Sequence, residues 1–207
     1  MRVLVPFLLL MAACSPVASA GQDDDSPSNE AVEMSVSLYV VHASENPASS
    51  ASSRRTTVEL EDIFTRMQTI WSQAGVGLIL ETASSITAPQ SVLQDLAAGD
   101  TSSFFDAAGA GVIEIPDPGT LLGFYVKEIG GVNGLTPLGT RVFFVADRPT
   151  VHDERVSSHE IGHILGLSHA LGDSGRLMFS GTNGTDLTDE ESVVARYGAA
   201  AILDGVR

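Results

Sequence analysis

Three of the five histidines in this chain fall inside one short stretch, HEIGHILGLSH, residues 159–169. If that stretch begins as a helix, His159 and His163 stand on one face about 6 Å apart along the axis. Two imidazoles so placed can share a zinc ion, each at about 2.0–2.1 Å. His169 would lie about 15 Å beyond His159 if the helix continued, so it joins them only if the chain stops and turns back. Gly166 stands where that break is needed, and glycine takes the left-handed conformation of a helix end without steric cost. Three neutral imidazoles leave the fourth tetrahedral position open, which is the arrangement of a catalytic zinc rather than a structural one. Zinc in such a site acidifies a water and polarises a carbonyl. Glu160, rotated about 100° from His159, reaches that water instead of the metal, as a general base and then a general acid. From this composition the full spacing H-E-x-x-H-x-x-G-x-x-H arises by accident with a probability on the order of 10⁻⁵.

The elements that must hold these residues read as α/β. VEMSVSLYVVH (32–42) is rich in β-branched residues and reads as a strand. TVELEDIFTRMQTIWSQAG (57–75) sets Leu60, Ile63, Phe64, Met67, Ile70 and Trp71 at helical spacing before a Gly75 stop. VGLILET (76–82) is a second strand, so the opening is a right-handed βαβ unit with parallel strands. Residues 83–120 carry weaker signals: SVLQDLAAG and SSFFDAAGA read as short helices, GVIEIPDPG as a short strand or a loop. LLGFYVKEI (121–129) and RVFFVAD (141–147) are strands, joined by the glycine-rich GGVNGLTPLG (130–139), a loop or weak edge strand. A helix is expected over Thr150–Leu167, with Thr150 as N-cap and Pro149 just outside it, and another over residues 188–202, opened by a second capping signal.

The whole chain, 207 residues with 43% hydrophobic content, suits one ordinary domain with additional sequence at an end. Its formal charge of −15 argues against nucleic acid and anionic membrane surfaces as partners. Residues 1–20 read as an export signal: Arg2, then an apolar stretch from Val3 to Ala13 with the length of a signal h-region. Two endings compete. LMAAC resembles a lipobox that would place a lipid on Cys14, whereas ASA at 18–20 offers cleavage after Ala20. Either implies export, as an outer-membrane, periplasmic or cell-surface lipoprotein or as a secreted protein. Residues 21–31 read as a flexible linker and 32–207 as the folded domain. Cys14 is the only cysteine, so no intramolecular disulfide forms.

HEIGHILGLSH resembles the long zinc signature of the metzincin metallopeptidases. RLMFS, nine residues beyond His169, supplies Met178 at the place of their Met-turn, and DLTDEESVVARYG (186–198) is similar to the last helix of the matrixin branch. The resemblance implies a zincin fold: a twisted, mostly parallel sheet with an antiparallel edge strand, packed on two long helices, and a C-terminal helix after the Met-turn. It implies a zinc endopeptidase in which His159, His163 and His169 hold one Zn²⁺, Glu160 is the catalytic base and Met178 lies beneath the metal. It also implies an extended protein or peptide substrate along the edge strand within GGVNGLTPLG. Phe179 and Ser180 follow Met178, so the tyrosine that serves some metzincins as an extra ligand is missing. The cysteine-zinc latency of matrixins has no matching cysteine after Cys14. Matrixins also bind calcium and a second zinc. Ca²⁺ has no supporting motif here, and Asp147, His152, Asp153 and Glu154 read as a solvated helix start before they read as ligands. His42 has no evident partner. Two rival readings stand beside the peptidase: a non-catalytic surface-binding protein stabilised by zinc, and a zinc hydrolase of another amide such as a cell-wall peptide. No feature calls for an oligomer, and a monomer is expected.

Overall fold

Strand β1 (Val32–Ala43) is buried on both sides of the sheet, and its near-continuous apolar run is what a central parallel strand requires. Met34, Val36, Leu38 and Val40 face one core, while Tyr39, Val41 and Ala43 face another. The computed structural model describes residues 31–115 and 121–205. The expected leader and Cys14, nearly all of the linker, and the end of GVIEIPDPG lie outside them.

After β1 come helix α1 (Thr57–Ser72) and strand β2 (Val76–Ala88), which pairs with β1 in parallel, as the βαβ reading expects. Thr56 closes α1 with a capping box: its side chain accepts from the Glu59 amide, and the Glu59 carboxylate accepts from the Thr56 amide. All six apolar residues picked out by spacing are buried. Strand β2 runs past the expected 76–82, taking up residues to Ala88, and the register slips once opposite Val36 and Ser37. The weak middle segment then forms two short helices, α2 (Gln90–Ala97) and α3 (Ser102–Gly109), with no strand over residues 111–115.

Strand β3 (Leu121–Val126) lies on the other side of β1, and β5 (Val142–Ala146) lies beside β3, both in parallel. The glycine-rich segment contributes only β4 (Gly134–Leu135), antiparallel at the edge of β5. The sheet order is β2-β1-β3-β5-β4. Helices α1, α4 (Asp153–Ile164) and α5 (Asp189–Leu203) share the first core. The opposite face is covered by α2 and α3, so the helical layer is larger than two long helices.

Helix α4 differs from expectation at both ends. It starts at Asp153 rather than Thr150, because Thr150 is engaged elsewhere: its amide donates to Asn133 Oδ1 at 2.9 Å, and its hydroxyl accepts from Asn133 Nδ2 at 2.9 Å. It stops at Ile164, short of Leu167, for reasons that belong to the site. Helix α5 begins after Thr188 with the expected capping box, completed by Glu191.

Candidate metal centre

The end of α4 determines where the third histidine goes. Gly166 has φ +97°, its amide donates to His163 O at 3.1 Å, and the Leu167 amide donates to Gly162 O at 2.8 Å. This paired termination is the Schellman pattern, with glycine in the left-handed position that a side chain would strain. Leu167 O, turned back by that reversal, sits 3.0 Å from His163 Nδ1. The residue that follows the break therefore orients the imidazole that precedes it.

The reversal brings His169 onto His159 and His163. One ligand nitrogen from each of the three can be chosen so that all lie within 4.8 Å of one another. Among the described residues this is the one such group of His, Cys, Asp and Glu. His163 Nε2 and His169 Nε2 are 3.1 Å apart, close to the roughly 3.3–3.4 Å edge of a tetrahedron with zinc–nitrogen bonds of about 2.0–2.1 Å. His159 Nδ1 donates to Leu177 O at 2.8 Å. With the Nδ1 protons of His159 and His163 committed to carbonyls, their Nε2 lone pairs are the ones left for a cation. The donor set fits zinc. Burial pushes the His159 pKa down to about 4, with nearby Arg155 and the other imidazoles adding to the effect against the Leu177 hydrogen bond. His163 is also lowered, again chiefly by burial. Neutral rings are the form a metal needs.

Glu160 is 6% exposed on α4 beside His159. Burial raises its carboxyl to about 7, against a hydrogen bond from Thr136 and the charge of Arg155. Thr136 Oγ1 lies 2.9 Å from Glu160 Oε2 and 3.0 Å from Glu160 O. Thr136 follows β4 directly, so the glycine-rich edge segment reaches the carboxylate as well as the rim of the cleft. Composition marked that segment, but no signal in it singled out Thr136.

Met178 is fully buried against Gly162, the glycine within HEIGH. The turn around it is anchored by Arg155, one helical turn before His159 and 4% exposed. Arg155 Nη2 donates to Leu177 O at 2.8 Å and also to Phe179 O. Sequence reasoning passed over Arg155, although its spacing of four from His159 put both on one helical face.

Two cavities flank the triad. One of about 710 Å³ extends past His163 and His169 over Ile164, Leu167 and Ile202, with Arg141 in its wall. The other, about 530 Å³, lies along Gly134, Leu135 and Thr136 and is walled by Arg155 and Glu160. Together they make a cleft along the β4 edge with the three imidazoles between its halves.

The second acidic group joins no site. Asp147 accepts from Ser53 Oγ at 2.5 Å and the Arg54 amide at 2.8 Å, Asp153 pairs with Arg55 at 2.5 Å, and Glu154 pairs with Arg66 at 3.1 Å. His152 Nδ1 lies 3.7 Å from Glu154, and the His152 amide donates to Asn183 Oδ1 at 2.7 Å. These residues tie the segment before α1, and α1 itself, to the start of α4. His42 Nδ1 is buried without a hydrogen-bond partner among the described residues.

No protein-family model matches the chain. No curated protein matches it either. Among solved structures, the chain is similar to archaemetzincin from Methanopyrus kandleri, with a TM-score of 0.53 and 14% identity over 81% of this chain and 96% of that one. It is also similar to a chain in the structure of a chaperone–substrate complex, with a TM-score of 0.51 and 12% identity over 84% of this chain. That second likeness spans only 36% of the other chain. At such identities the likeness is one of fold: a mixed α/β architecture with a five-stranded, mostly parallel sheet.

Proposed function

We propose that the chain is a zinc-dependent endopeptidase of metzincin type. The observation that carries this reading is the convergence of His159, His163 and His169, two of them with Nδ1 held by carbonyls, beside a buried carboxylate that is not one of the three. Zinc held by these imidazoles would supply Lewis acidity toward a carbonyl oxygen and acidify a water. Glu160 takes a proton from the water as its oxygen adds to the scissile carbonyl carbon. It then delivers that proton to the amine nitrogen as the carbon–nitrogen bond breaks. Thr136 holds one carboxylate oxygen, which leaves the other to handle the proton. An extended peptide paired with the β4 edge would present its backbone across the triad, and pairing of this kind reads no particular side chain. Met178 supports the site from below, and the Tyr197–Gly198 pair within α5 favours the matrixin-like branch.

The reading extends to where the protein works. The apolar leader makes it an exported enzyme, linked to a membrane only by an N-terminal lipid if the leader ends at Cys14, and secreted without one if it ends at Ala20. Its substrates are proteins or peptides, and it acts as a monomer.

The test is Glu160→Ala in the purified chain. Zinc content should stay near one per chain, while cleavage of a mixed peptide library, abolished by chelator in the wild type, is lost. Equal cleavage by variant and wild type would sink the mechanism. A wild type that neither takes up zinc nor cleaves peptides would sink the whole reading.

A further inference from the structure

The carbonyl that accepts from His159 Nδ1 has a second donor. Leu177 O receives both the His159 ring at 2.8 Å and Arg155 Nη2 at 2.8 Å, and the same guanidinium nitrogen donates to Phe179 O. Leu177 and Phe179 flank Met178, so one cation holds the backbone on both sides of that methionine. We infer that Arg155 is a positioning residue for the metal centre: it fixes Leu177 O so that His159 keeps its proton on Nδ1 and turns Nε2 toward the cation. This inference rests on the zinc-site reading and deepens it.

The physical case begins with the turn. Leu177 and Met178 are fully buried, and the carbonyls there need donors that a tight turn does not supply from its own backbone. A planar guanidinium on the neighbouring helix keeps its N–H groups at fixed angles, and the two N–H groups of Nη2 meet the carbonyls on either side of Met178. Helical spacing does the rest, since Arg155 and His159 are four residues apart on α4 and reach one oxygen from the same face.

A surface-facing arginine would hold the turn no better than many other residues. Here the cation is buried at a cost, with its Nε lacking a hydrogen-bond partner among the described residues, and the charge of Glu160 favours it against that burial. A purely structural turn anchor would not need to share its acceptor with a ligand histidine. The arrangement links three parts of the centre, namely the ring tautomer of His159, the seat of Met178 and the charge beside Glu160.

The experiment compares the full chain with Arg155→Met, Arg155→Lys and, as a control, Arg176→Met. Arg176 holds the same loop through Glu191 at 2.6 Å but touches neither His159 nor Leu177 O. Two quantities are read: the ring nitrogen and proton spectrum of His159 in metal-free protein, and the zinc dissociation constant from competition with a chromophoric chelator. In the wild type His159 should show one tautomer with a slowly exchanging Nδ1 proton. In Arg155→Met that proton should exchange rapidly with both tautomers present, and zinc should bind about 10–100-fold more weakly, the range for loss of a partner behind a ligand. Arg155→Lys should recover part of both, and Arg176→Met should lower stability while leaving both unchanged. A folded Arg155→Met with an unaltered His159 spectrum and zinc affinity within twofold of wild type overturns the inference. If Arg155→Met fails to fold, an unaltered His159 spectrum in Arg155→Lys overturns it instead. The ring spectrum needs no metal, so a wild type that binds no zinc would defeat the proposed function while the spectrum still decides the role of Arg155.

Discussion

Gly162 and Met178 touch so closely that a β-carbon on the glycine would lie 2.5 Å from the methionine sulfur and 3.1 Å from its methyl carbon. The glycine inside the histidine motif is therefore the recess into which the methionine fits. Replacing a mid-helix glycine with alanine ordinarily stabilises a helix by roughly 1 kcal/mol. Gly162→Ala should do the reverse, losing on the order of 1–3 kcal/mol by overpacking and weakening zinc binding as Met178 and the helix that carries His159 and His163 are forced apart. Urea unfolding and zinc titration of the variant measure the two effects. A stability gain with unchanged affinity would show that the close contact is not needed.

Thr136 donates to Glu160 Oε2 and thereby opposes the burial that raises this carboxyl to about 7. Thr136→Val removes the donor, so the folded carboxyl should rise further. A general base must be deprotonated to act, so the acid limb of the kcat/KM profile should move to higher pH. The activity ratio of variant to wild type should then be smaller at pH 6 than at pH 8. A cation bound by the histidines lowers Glu160 in both proteins, and the displacement between the two profiles is what decides. Profiles that superimpose would remove Thr136 from the chemistry.

The parts of this architecture readable from sequence were those with a strong local cause. The α1 face, the capping box at Thr188 and the break at Gly166 each follow from a few adjacent residues acting through known geometry. The length of β2 was hidden because residues 83–88 are mostly small or polar, and pairing with β1 holds them extended. The start of α4 was misplaced because Thr150 has two uses for its polar groups, and Asn133, seventeen residues away, wins them. Nothing local announces such a partner. The same applies to Leu177 O and Thr136, whose roles depend on contacts between segments that the chain brings together only after folding.

His159 and His163 are held neutral by burial, His159 down to about 4. Protons compete with zinc for imidazole, so affinity falls as pH drops through the pKa of each ligand. Three ordinary imidazoles of pKa about 6.5 would lose affinity by roughly 170-fold between pH 6.5 and 5.5, steepening toward a thousandfold per unit only at lower pH. Here the decline between pH 6.5 and 5.5 should be shallower, because the His159 ring has little proton affinity in that window. Chelator competition at pH 7.5, 6.5 and 5.5 gives the slope. A loss of roughly 170-fold over that window would mean that burial does not protect the rings.

Removing the metal should loosen the site without unfolding the protein. The two apolar clusters on either side of the sheet are built without any of the three histidines, so the fold stands on packing. Zinc binds the folded triad and not the dispersed one, and at a free concentration 1,000 times its dissociation constant it stabilises by about 4 kcal/mol. For a chain of this size each kcal/mol moves the midpoint by roughly 2–4 °C, so chelation should lower Tm by about 8–16 °C while the metal-free form stays folded at 25 °C. Calorimetry with zinc and with excess chelator makes the comparison. His169→Ala should behave like the chelated wild type and gain little from added zinc, since only two of the three imidazoles then remain. An unchanged Tm on chelation would mean that the triad holds no metal under those conditions. Complete unfolding at 25 °C would mean that the cores are weaker than their burial implies.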